Sequence, residues 1–278
     1  MKLVAFGVAA VAALVGTPAF AADIVFPSPP PPPPGWSFTG CYIGANVGAG
    51  WGNSTFSWTN ITENPTTAFN TGAGTVLPEA ADASLDRAGF LGGGQVGCNY
   101  QPGWLVVGVE GDFDFMNLNA GRTVVSLGNT NGGPSTIVPG NISESFSTDW
   151  LSTVRGRAGV ASGAWFYYAT AGLAIAKASF SDQLCFPSAA TPTCNTASSS
   201  GTREGWVAGG GIEWKIAPAW NTKLEYLYAD FGNTSYNSIA TTSAGATPFP
   251  DATITHVHSF NENIIRIGVN YQFVWGAQ

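Results

Sequence analysis

The sequence predicts an all-β protein: an eight-stranded antiparallel up-and-down transmembrane β-barrel with short periplasmic turns and long extracellular loops. Charged residues make up only 10% of the 278 residues, whereas an ordinary soluble domain contains about 25%. Eight segments alternate between apolar and polar residues with a period of two, which is typical of strands. The joins between these segments are alternately very short and long, a pattern typical of barrels that span a bacterial membrane.

Composition and charge exclude several other classes. The 36 glycines argue against a helical bundle, because each interior glycine costs a helix about 1 kcal/mol relative to alanine. The formal net charge is −7, and the sequence has no basic cluster. Nucleic acid is therefore not an expected partner, since its binding requires Lys and Arg to displace counterions.

The first 21 residues predict a cleaved signal peptide. Met1-Lys2 is a short basic start, an apolar run covers 3–15, and 18–21 offers small residues for cleavage after Ala21. The apolar run is shorter than the roughly 20 residues that a transmembrane helix needs. No other segment approaches that length, so a mature chain in a membrane would have to be a closed barrel.

Residues 22–35 are predicted to form a proline-rich periplasmic spacer, followed by the barrel at 36–278. Seven prolines and one serine occupy 27–34, and such a run favours an extended, semi-rigid conformation. A ligand for a proline-binding module is the alternative interpretation of this run.

The predicted strands are separated by two kinds of join. Those after the second, fourth and sixth strands are Gln101-Pro102, Ser162-Gly163 and Pro218, whereas the others run to roughly 24–36 residues rich in Ser, Thr, Asn, Gly and Pro. The strands are expected at about 40–51, 88–100, 103–115, 147–161, 164–179, 204–217, 219–231 and 258–273.

Alternation places charges and apolar side chains on opposite faces. In the last strand Ile265, Ile267 and Val269 share one face, while Glu262 and Arg266 lie on the other. A soluble barrel would bury the apolar face, but the scarcity of charge, the predicted export and aromatic residues near strand ends favour an apolar face that contacts lipid. Those aromatic residues are Trp104, Trp150, Trp165, Trp206, Trp220 and Phe273.

The charges within strands are then expected inside the barrel. Because opposite charges in a confined interior should pair, we interpret them as a polar plug; a narrow ion path or a proton-linked gate is the alternative. This interior charge network comprises Glu110, Asp112, Asp114, Arg155, Arg157, Glu213, Lys215, Lys223, Glu225 and Arg266.

Four cysteines in an exported chain permit disulfides. Cys41 opens the first strand and Cys98 nearly closes the second, so antiparallel pairing would bring them level. Cys185 and Cys194 fall in one expected loop. We predict the disulfides Cys41–Cys98 and Cys185–Cys194, and no metal site, because no CxxC spacing is present.

Histidine occurs only at positions 256 and 258. We interpret this pair as two solvated residues at a barrel mouth. The alternatives are metal binding, or a catalytic base acting with Ser259 and Glu262 as in lipid-modifying barrels. No cofactor is expected.

Three segments resemble small porin-family barrels of alphaproteobacteria, the outer-membrane immunogenic proteins with an OmpA-like barrel. They are WSFTGCYIGANVG at 36–48, GQVGCNYQ at 94–101 and RIGVNYQF at 266–273. The resemblance covers 36–275 and implies localisation in the outer membrane and insertion by the barrel-assembly machinery. That machinery reads a final strand with a terminal aromatic residue, which Tyr271 and Phe273 match, although Trp275 follows them.

The resemblance supplies no catalytic residues. We therefore expect a non-enzymatic surface protein with a structural, envelope-integrity role; a narrow porin-like channel for small solutes is the first alternative and a lipid-modifying enzyme the second. Expected partners are outer-membrane lipids, lipopolysaccharide and the assembly machinery, with host surfaces as a further possibility for the loops.

Overall fold

In the computed structural model, which describes residues 36–62, 83–129, 137–186, 193–242 and 248–273, the chain forms eight antiparallel strands. Each strand pairs with the next, and β8 pairs with β1 to close the barrel, which confirms the predicted fold. The signal peptide, the spacer and Trp275 lie outside the described residues. The strands are β1 (Gly40–Thr62), β2 (Ala83–Tyr100), β3 (Leu105–Asn129), β4 (Ile137–Ser162), β5 (Trp165–Phe186), β6 (Thr193–Ala217), β7 (Trp220–Thr242) and β8 (Pro248–Phe273).

Within the described ranges, no helix has the length and apolar character needed to cross a membrane.

The short turns lie where the sequence predicts them, after β2, β4 and β6. Gly103 and Gly163 have φ angles of 72° and 59°, in the left-handed region that glycine adopts without strain. Both glycines lie within the tight turns, with nothing within 4 Å of an added Cβ. This end of the barrel, where β1 also begins and β8 ends, is the periplasmic end.

At the other end, the strands extend further than predicted. β4 begins at Ile137 rather than near 147, β6 at Thr193 rather than near 204, and β8 at Pro248 rather than near 258. Much of the polar sequence expected in loops is therefore strand. The sequence places the start of these strands too late because Ser and Thr residues in the added segments alternate with Phe and Ala. That pattern is opposite in phase to the lipid-facing pattern described below.

In the periplasmic half, the outer face is apolar. Val47, Val154 and Leu173 expose 62%, 67% and 68% of their surface, which confirms the predicted outward orientation. Aromatic side chains border this lipid-facing belt, as Trp and Tyr do at membrane interfaces. The periplasmic rim carries Trp104, Trp165, Trp220 and Phe273, and the outer girdle consists of Trp51, Phe115, Trp150, Trp206, Tyr226 and Tyr228.

Beyond the outer girdle, the polarity of the two faces reverses. Phe146, Phe180 and Phe260 lie inside the barrel, whereas Ser145, Ser181 and similar residues face outward. We call these segments the collar; it includes 117–129 of β3, 137–149 of β4, 177–186 of β5 and 193–204 of β6. Because water replaces lipid as the outer solvent at this height, the collar has the polarity of a soluble barrel.

We expect Val154→Arg to lower the free energy of unfolding by about 2–4 kcal/mol, because the guanidinium would face lipid near the middle of the belt. Ser198→Arg is the matched control in the collar, where the same side chain meets water and should change stability by under about 0.5 kcal/mol. Denaturant titration in lipid vesicles measures both. Equal losses would contradict the placement of the belt and collar.

Candidate functional site in the barrel interior

All ten residues of the predicted charge network lie buried inside the barrel. They come from β3, β4, β6, β7 and β8 and comprise five carboxylates and five cations, so their formal charges cancel. The strand alternation that turns apolar side chains toward lipid turns these inward. The geometry is therefore that of a filled interior at the level of the membrane.

Two arginines link the carboxylates of β3 and β7. Arg155 donates to Glu110 Oε1 at 2.6 Å, Asp112 Oδ2 at 2.7 Å and Glu225 Oε1 at 3.0 Å. The guanidinium of Arg266 reaches Asp112 Oδ2 at 2.8 Å and Glu225 Oε2 at 2.7 Å. Each guanidinium thus neutralises several carboxylates at once, as its planar fork of donors permits.

The remaining cations extend the network toward the periplasm. Arg157 pairs with Glu213 and Glu110, and its guanidinium lies 4.2 Å from the centre of the Tyr168 ring. Lys223 Nζ donates to Glu110 Oε1 at 2.7 Å. With Arg266 at 3.8 Å, four cations lie within ion-pair distance of Glu110, which compensates for its burial.

Lys215 differs from the other four cations. Its Nζ donates to Gln272 Oε1 at 2.5 Å and to the Pro218 carbonyl at 3.3 Å, and it lies 5.3 Å from the centre of the Phe38 ring. It therefore lies at the periplasmic mouth, where it binds neutral groups.

Glycines make room for these long side chains. A Cβ at position 268 would lie 2.8 Å from Gln95 Nε2 and 3.3 Å from Lys223 Cε, and one at position 48 would lie 2.7 Å from Arg266 Cβ. Because these positions are glycine, the narrow barrel has room for Arg, Lys and Gln side chains across its interior.

Sequence reasoning did not identify the segment that closes the periplasmic mouth. Phe38 is completely buried, packs on Phe166 at 5.3 Å, and its amide donates to Gln101 Oε1 at 2.8 Å. Gln272 Nε2 donates to the Thr39 carbonyl at 2.6 Å. In the sequence, this segment stands out only because 36–48 resembles the opening segment of the outer-membrane immunogenic proteins. That resemblance says nothing about which side chains are buried.

A second missed feature is an apolar layer above the charge network. Its side chains fill the barrel from the outer part of the belt into the collar. The alternate alanines at 174, 176 and 178 of β5 are a sequence signal for this layer. The layer comprises Leu91, Met116, Leu118, Ala120, Phe146, Leu151, Ala174, Ala176, Ala178, Phe180, Val207, Leu227, Ala229, Phe231, Phe260 and Ile264.

The histidine pair is buried, so the expectation of two solvated residues is wrong. His256 and His258 are each 1% exposed, because β8 begins ten residues earlier than predicted and turns both rings into the collar. Asp182 Oδ2 accepts from the Tyr236 hydroxyl at 2.7 Å and lies 3.0 Å from His256 Nδ1 and 2.9 Å from His258 Nε2. One carboxylate of β5 thus joins β7 and β8 across the barrel.

Two buried carboxylates in the collar have altered acidities. Burial alone would raise the pKa of Asp182, but hydrogen bonds from His256, His258 and Tyr236 outweigh it and lower the pKa to about 2. Burial raises the pKa of Glu144 above its usual value, although Arg122 opposes that effect. Asp182 is therefore charged throughout the physiological range.

The four residues of the suggested enzyme site do not converge. Ser259 faces outward and contacts the Thr55 hydroxyl, whereas the two histidines face the interior. Glu262 is buried at the level of the apolar layer, and neither of its carboxylate oxygens has a hydrogen-bond partner. Within the described ranges, no group of three or more His, Cys, Asp or Glu side chains is arranged to hold a metal ion.

Both predicted disulfides are present. Cys41 and Cys98 are register partners on β1 and β2, and Cys185 and Cys194 are register partners on β5 and β6. The second pair was expected within a loop, but it lies at the outer end of a hairpin because β5 and β6 extend into the collar.

The proposed assembly signal lies on the lipid-facing side of β8. Tyr271 and Phe273 are 40% and 44% exposed, and their rings meet edge to face at 5.3 Å. This position is compatible with recognition from outside the barrel, and the role itself stays a prediction.

Comparisons with known proteins agree with this geometry. The family model described as "Outer membrane protein beta-barrel domain" matches residues 7–273. The 31 kDa outer-membrane immunogenic protein of Brucella melitensis is 31% identical over 95% of this chain and 98% of its own length. The 22 kDa outer membrane protein of Rhizobium leguminosarum is 28% identical over 73% of this chain and 75% of its own.

Among solved structures, the outer membrane protease OmpT of Escherichia coli aligns with 85% of this chain and 98% of its own, with a TM-score of 0.42 and 9% identity. A likeness this distant says nothing about activity.

We expect Arg266→Met to lower the free energy of unfolding by about 3–5 kcal/mol, because it takes the cation from Asp114 and one of the cations from Asp112 and Glu225, all of them buried. Lys177→Met is the control, since Lys177 pairs with Asp149 at 3.0 Å but both side chains are about half exposed; its loss should cost under about 1 kcal/mol. Denaturant titration of the refolded barrels checks both values. Similar costs would mean that the buried network does not stabilise the barrel.

We expect Asp182 to contribute stability that disappears in acid. Its folded-state pKa is lowered, so the contribution is complete above about pH 4 and is lost as the pH falls toward 2, by about 2 kcal/mol. Asp182→Asn should remove this part of the pH dependence. The measurement is the free energy of unfolding of both proteins between pH 5 and 2, and parallel curves would refute the assignment.

Proposed function

From the premise that this chain belongs to the outer membrane protein β-barrel domain family and lies in the bacterial outer membrane, we propose that it is a non-enzymatic surface protein that contributes to envelope integrity and displays its outer loops. The proposal rests on one observation: side chains fill the barrel interior at two levels along its axis. The charge network occupies the membrane level, and the apolar layer closes the barrel above it.

The filled interior disfavours passage of solutes. A path along the barrel axis would have to separate Arg155 and Arg266 from carboxylates that lie within 3.0 Å of them, and leaving such charges unpaired costs several kcal/mol. Above them, the apolar layer offers an ion no polar ligands, and hydrophobic constrictions close channels by excluding water.

A narrow channel remains the second candidate because of one observation. Several buried amide atoms of the periplasmic half have no hydrogen-bond partner, namely Asn46 Oδ1, Asn99 Oδ1, Asn221 Oδ1 and Asn270 Nδ2. Buried polar atoms of this kind commonly bind water, and a file of water could conduct ions. The apolar layer above them is the reason that we favour the closed barrel.

An enzymatic role has less support. The histidines that would act as a base face Asp182 and Tyr236 in the buried collar, and Ser259 points away from them. A catalytic site needs a nucleophile and a base within hydrogen-bond reach, accessible to substrate.

The proposal also includes partners. The lipid-facing belt would contact outer-membrane lipids and lipopolysaccharide, and Tyr271 and Phe273 would be read by the barrel-assembly machinery. Contacts with host surfaces would involve the outer loops. No cofactor forms part of the proposed function.

We expect the refolded protein to produce no reproducible conductance steps in planar bilayers, because both interior layers block the axis. A general porin inserted into the same bilayers serves as the positive control, and heat-modifiable migration on a denaturing gel verifies folding of the sample. Reproducible steps that scale with salt concentration would favour the channel.

A further inference from the structure

The collar interior contains a second cluster of charged and titratable side chains, separate from the ten-residue charge network. Each strand from β3 to β8 contributes to it, and we call it the collar cluster. The nearest described inward side chain of β1 is Ser54, which is uncharged. The members of the collar cluster are Arg122 of β3, Glu144 of β4, Asp182 of β5, Arg203 of β6, Tyr236 of β7, and His256 and His258 of β8.

One carboxylate of this cluster serves both histidines. Asp182 Oδ2 lies 3.0 Å from His256 Nδ1 and 2.9 Å from His258 Nε2, and it accepts from the Tyr236 hydroxyl at 2.7 Å. The same hydroxyl lies 2.9 Å from His258 Nε2. Asp182 thus joins β5 to β7 and β8, and its single charge can balance one imidazolium but not two.

The other charged members do not supply a second balancing charge. Glu144 Oε2 already accepts from Arg122 Nε at 2.6 Å. Arg203 adds a positive charge: its Nη2 donates to Ser199 Oγ at 2.9 Å, its guanidinium lies 5.9 Å from the centre of the Phe180 ring, and it forms no ion pair within the described part of the chain. Two arginines and two carboxylates therefore balance each other as long as both histidines are neutral.

Mild acid disturbs this balance. Histidine is the type of side chain that ordinarily gains its charge between about pH 8 and pH 5. With both rings protonated, the described members of the cluster would have an excess of two positive charges in an interior where His256 and His258 are each 1% exposed. Because buried charges without partners are unfavourable, the protonated cluster favours a looser collar that admits water.

The histidines also contact the rings that close the barrel. The ring centres of His258 and Phe180 lie 4.7 Å apart. Phe180 packs on Phe146 at 5.3 Å, and Phe146 packs on Phe260 at 4.6 Å. Phe260 in turn stacks on Phe231 at 4.9 Å. A displacement of His258 therefore reaches the aromatic part of the apolar layer directly.

We propose that the collar cluster is an acid-sensitive switch: with neutral histidines Asp182 holds β5, β7 and β8 together above the apolar layer, and protonation of both histidines loosens the collar. The inference goes beyond the proposed function, because it adds a second state of the collar. The belt should not respond, since its interior charge network contains no histidine.

Hydrogen–deuterium exchange of the refolded, untagged full-length barrel in detergent micelles tests this switch. Protection factors are compared at pH 7.5 and 5.5, which corrects for the intrinsic pH dependence of exchange. Protection of the collar segments 137–149 and 193–204 should fall by about tenfold, while 262–273 in the belt keeps its protection. Asp182, whose pKa is lowered to about 2, stays charged at both pH values.

Three variants make the test specific. The double variant His256→Gln with His258→Gln keeps amide donors for Asp182 but cannot titrate, so its collar should be equally protected at both pH values. Arg203→Met removes an interior cation and should reduce the loss in acid. Lys177→Met removes a cation from the outer face, where Lys177 is about half exposed, and should show the same loss as the native protein.

Unchanged collar protection in the native protein would overturn the inference, as would a full loss in the double histidine variant. Equal losses in Arg203→Met and Lys177→Met would overturn it as well, and this comparison does not depend on the folding of the histidine variant. Heat-modifiable migration verifies that each variant is folded. None of these outcomes concerns conductance at neutral pH, so the proposed function is tested separately.

Discussion

The change of outer solvent along each strand determines the structure more than any single contact. In the belt, lipid surrounds the barrel, so polar side chains must lie inside, where Arg155 and Arg266 pair with carboxylates. In the collar, water surrounds the barrel, so the hydroxyls of Ser145 and Ser181 face outward and Phe146 and Phe180 fill the interior. Strands that continue through both environments must exchange the polarity of their two faces at the outer girdle.

This exchange explains which parts of the fold the sequence could predict. Residues 262–273 were placed correctly because two charges, Glu262 and Arg266, lie opposite a regular series of Ile and Val that suits lipid. The collar was mistaken for loop because Ser and Thr in alternate positions resemble loop composition. His256 and His258 were misplaced for the same reason: their burial depends on the extension of β8, which charge and apolarity in the belt do not reveal.

For the interior charge network, too, the sequence could predict some features and not others. All ten network residues could be assigned to the interior from alternation combined with the scarcity of charge, the predicted export and the aromatic strand ends, since a charge facing lipid is costly. Their partners could not be assigned, because pairs such as Arg266 with Asp114 join residues 152 positions apart across the barrel. Phe38 and the apolar layer escaped detection because burial of apolar residues inside a membrane barrel contradicts the simple pattern of polar inside and apolar outside.

The two interior layers also constrain where function can lie. With the axis occupied by paired charges at the membrane level and by aromatic and aliphatic side chains above them, the accessible chemistry is on the outer wall and loops. Glu144 illustrates the division: it is 2% exposed, its Oε2 accepts from Arg122 Nε at 2.6 Å inside the collar, and the adjacent Ser145 faces outward. The same strands carry both the belt and the collar, so the filled interior holds the outer wall at a constant height above the bilayer.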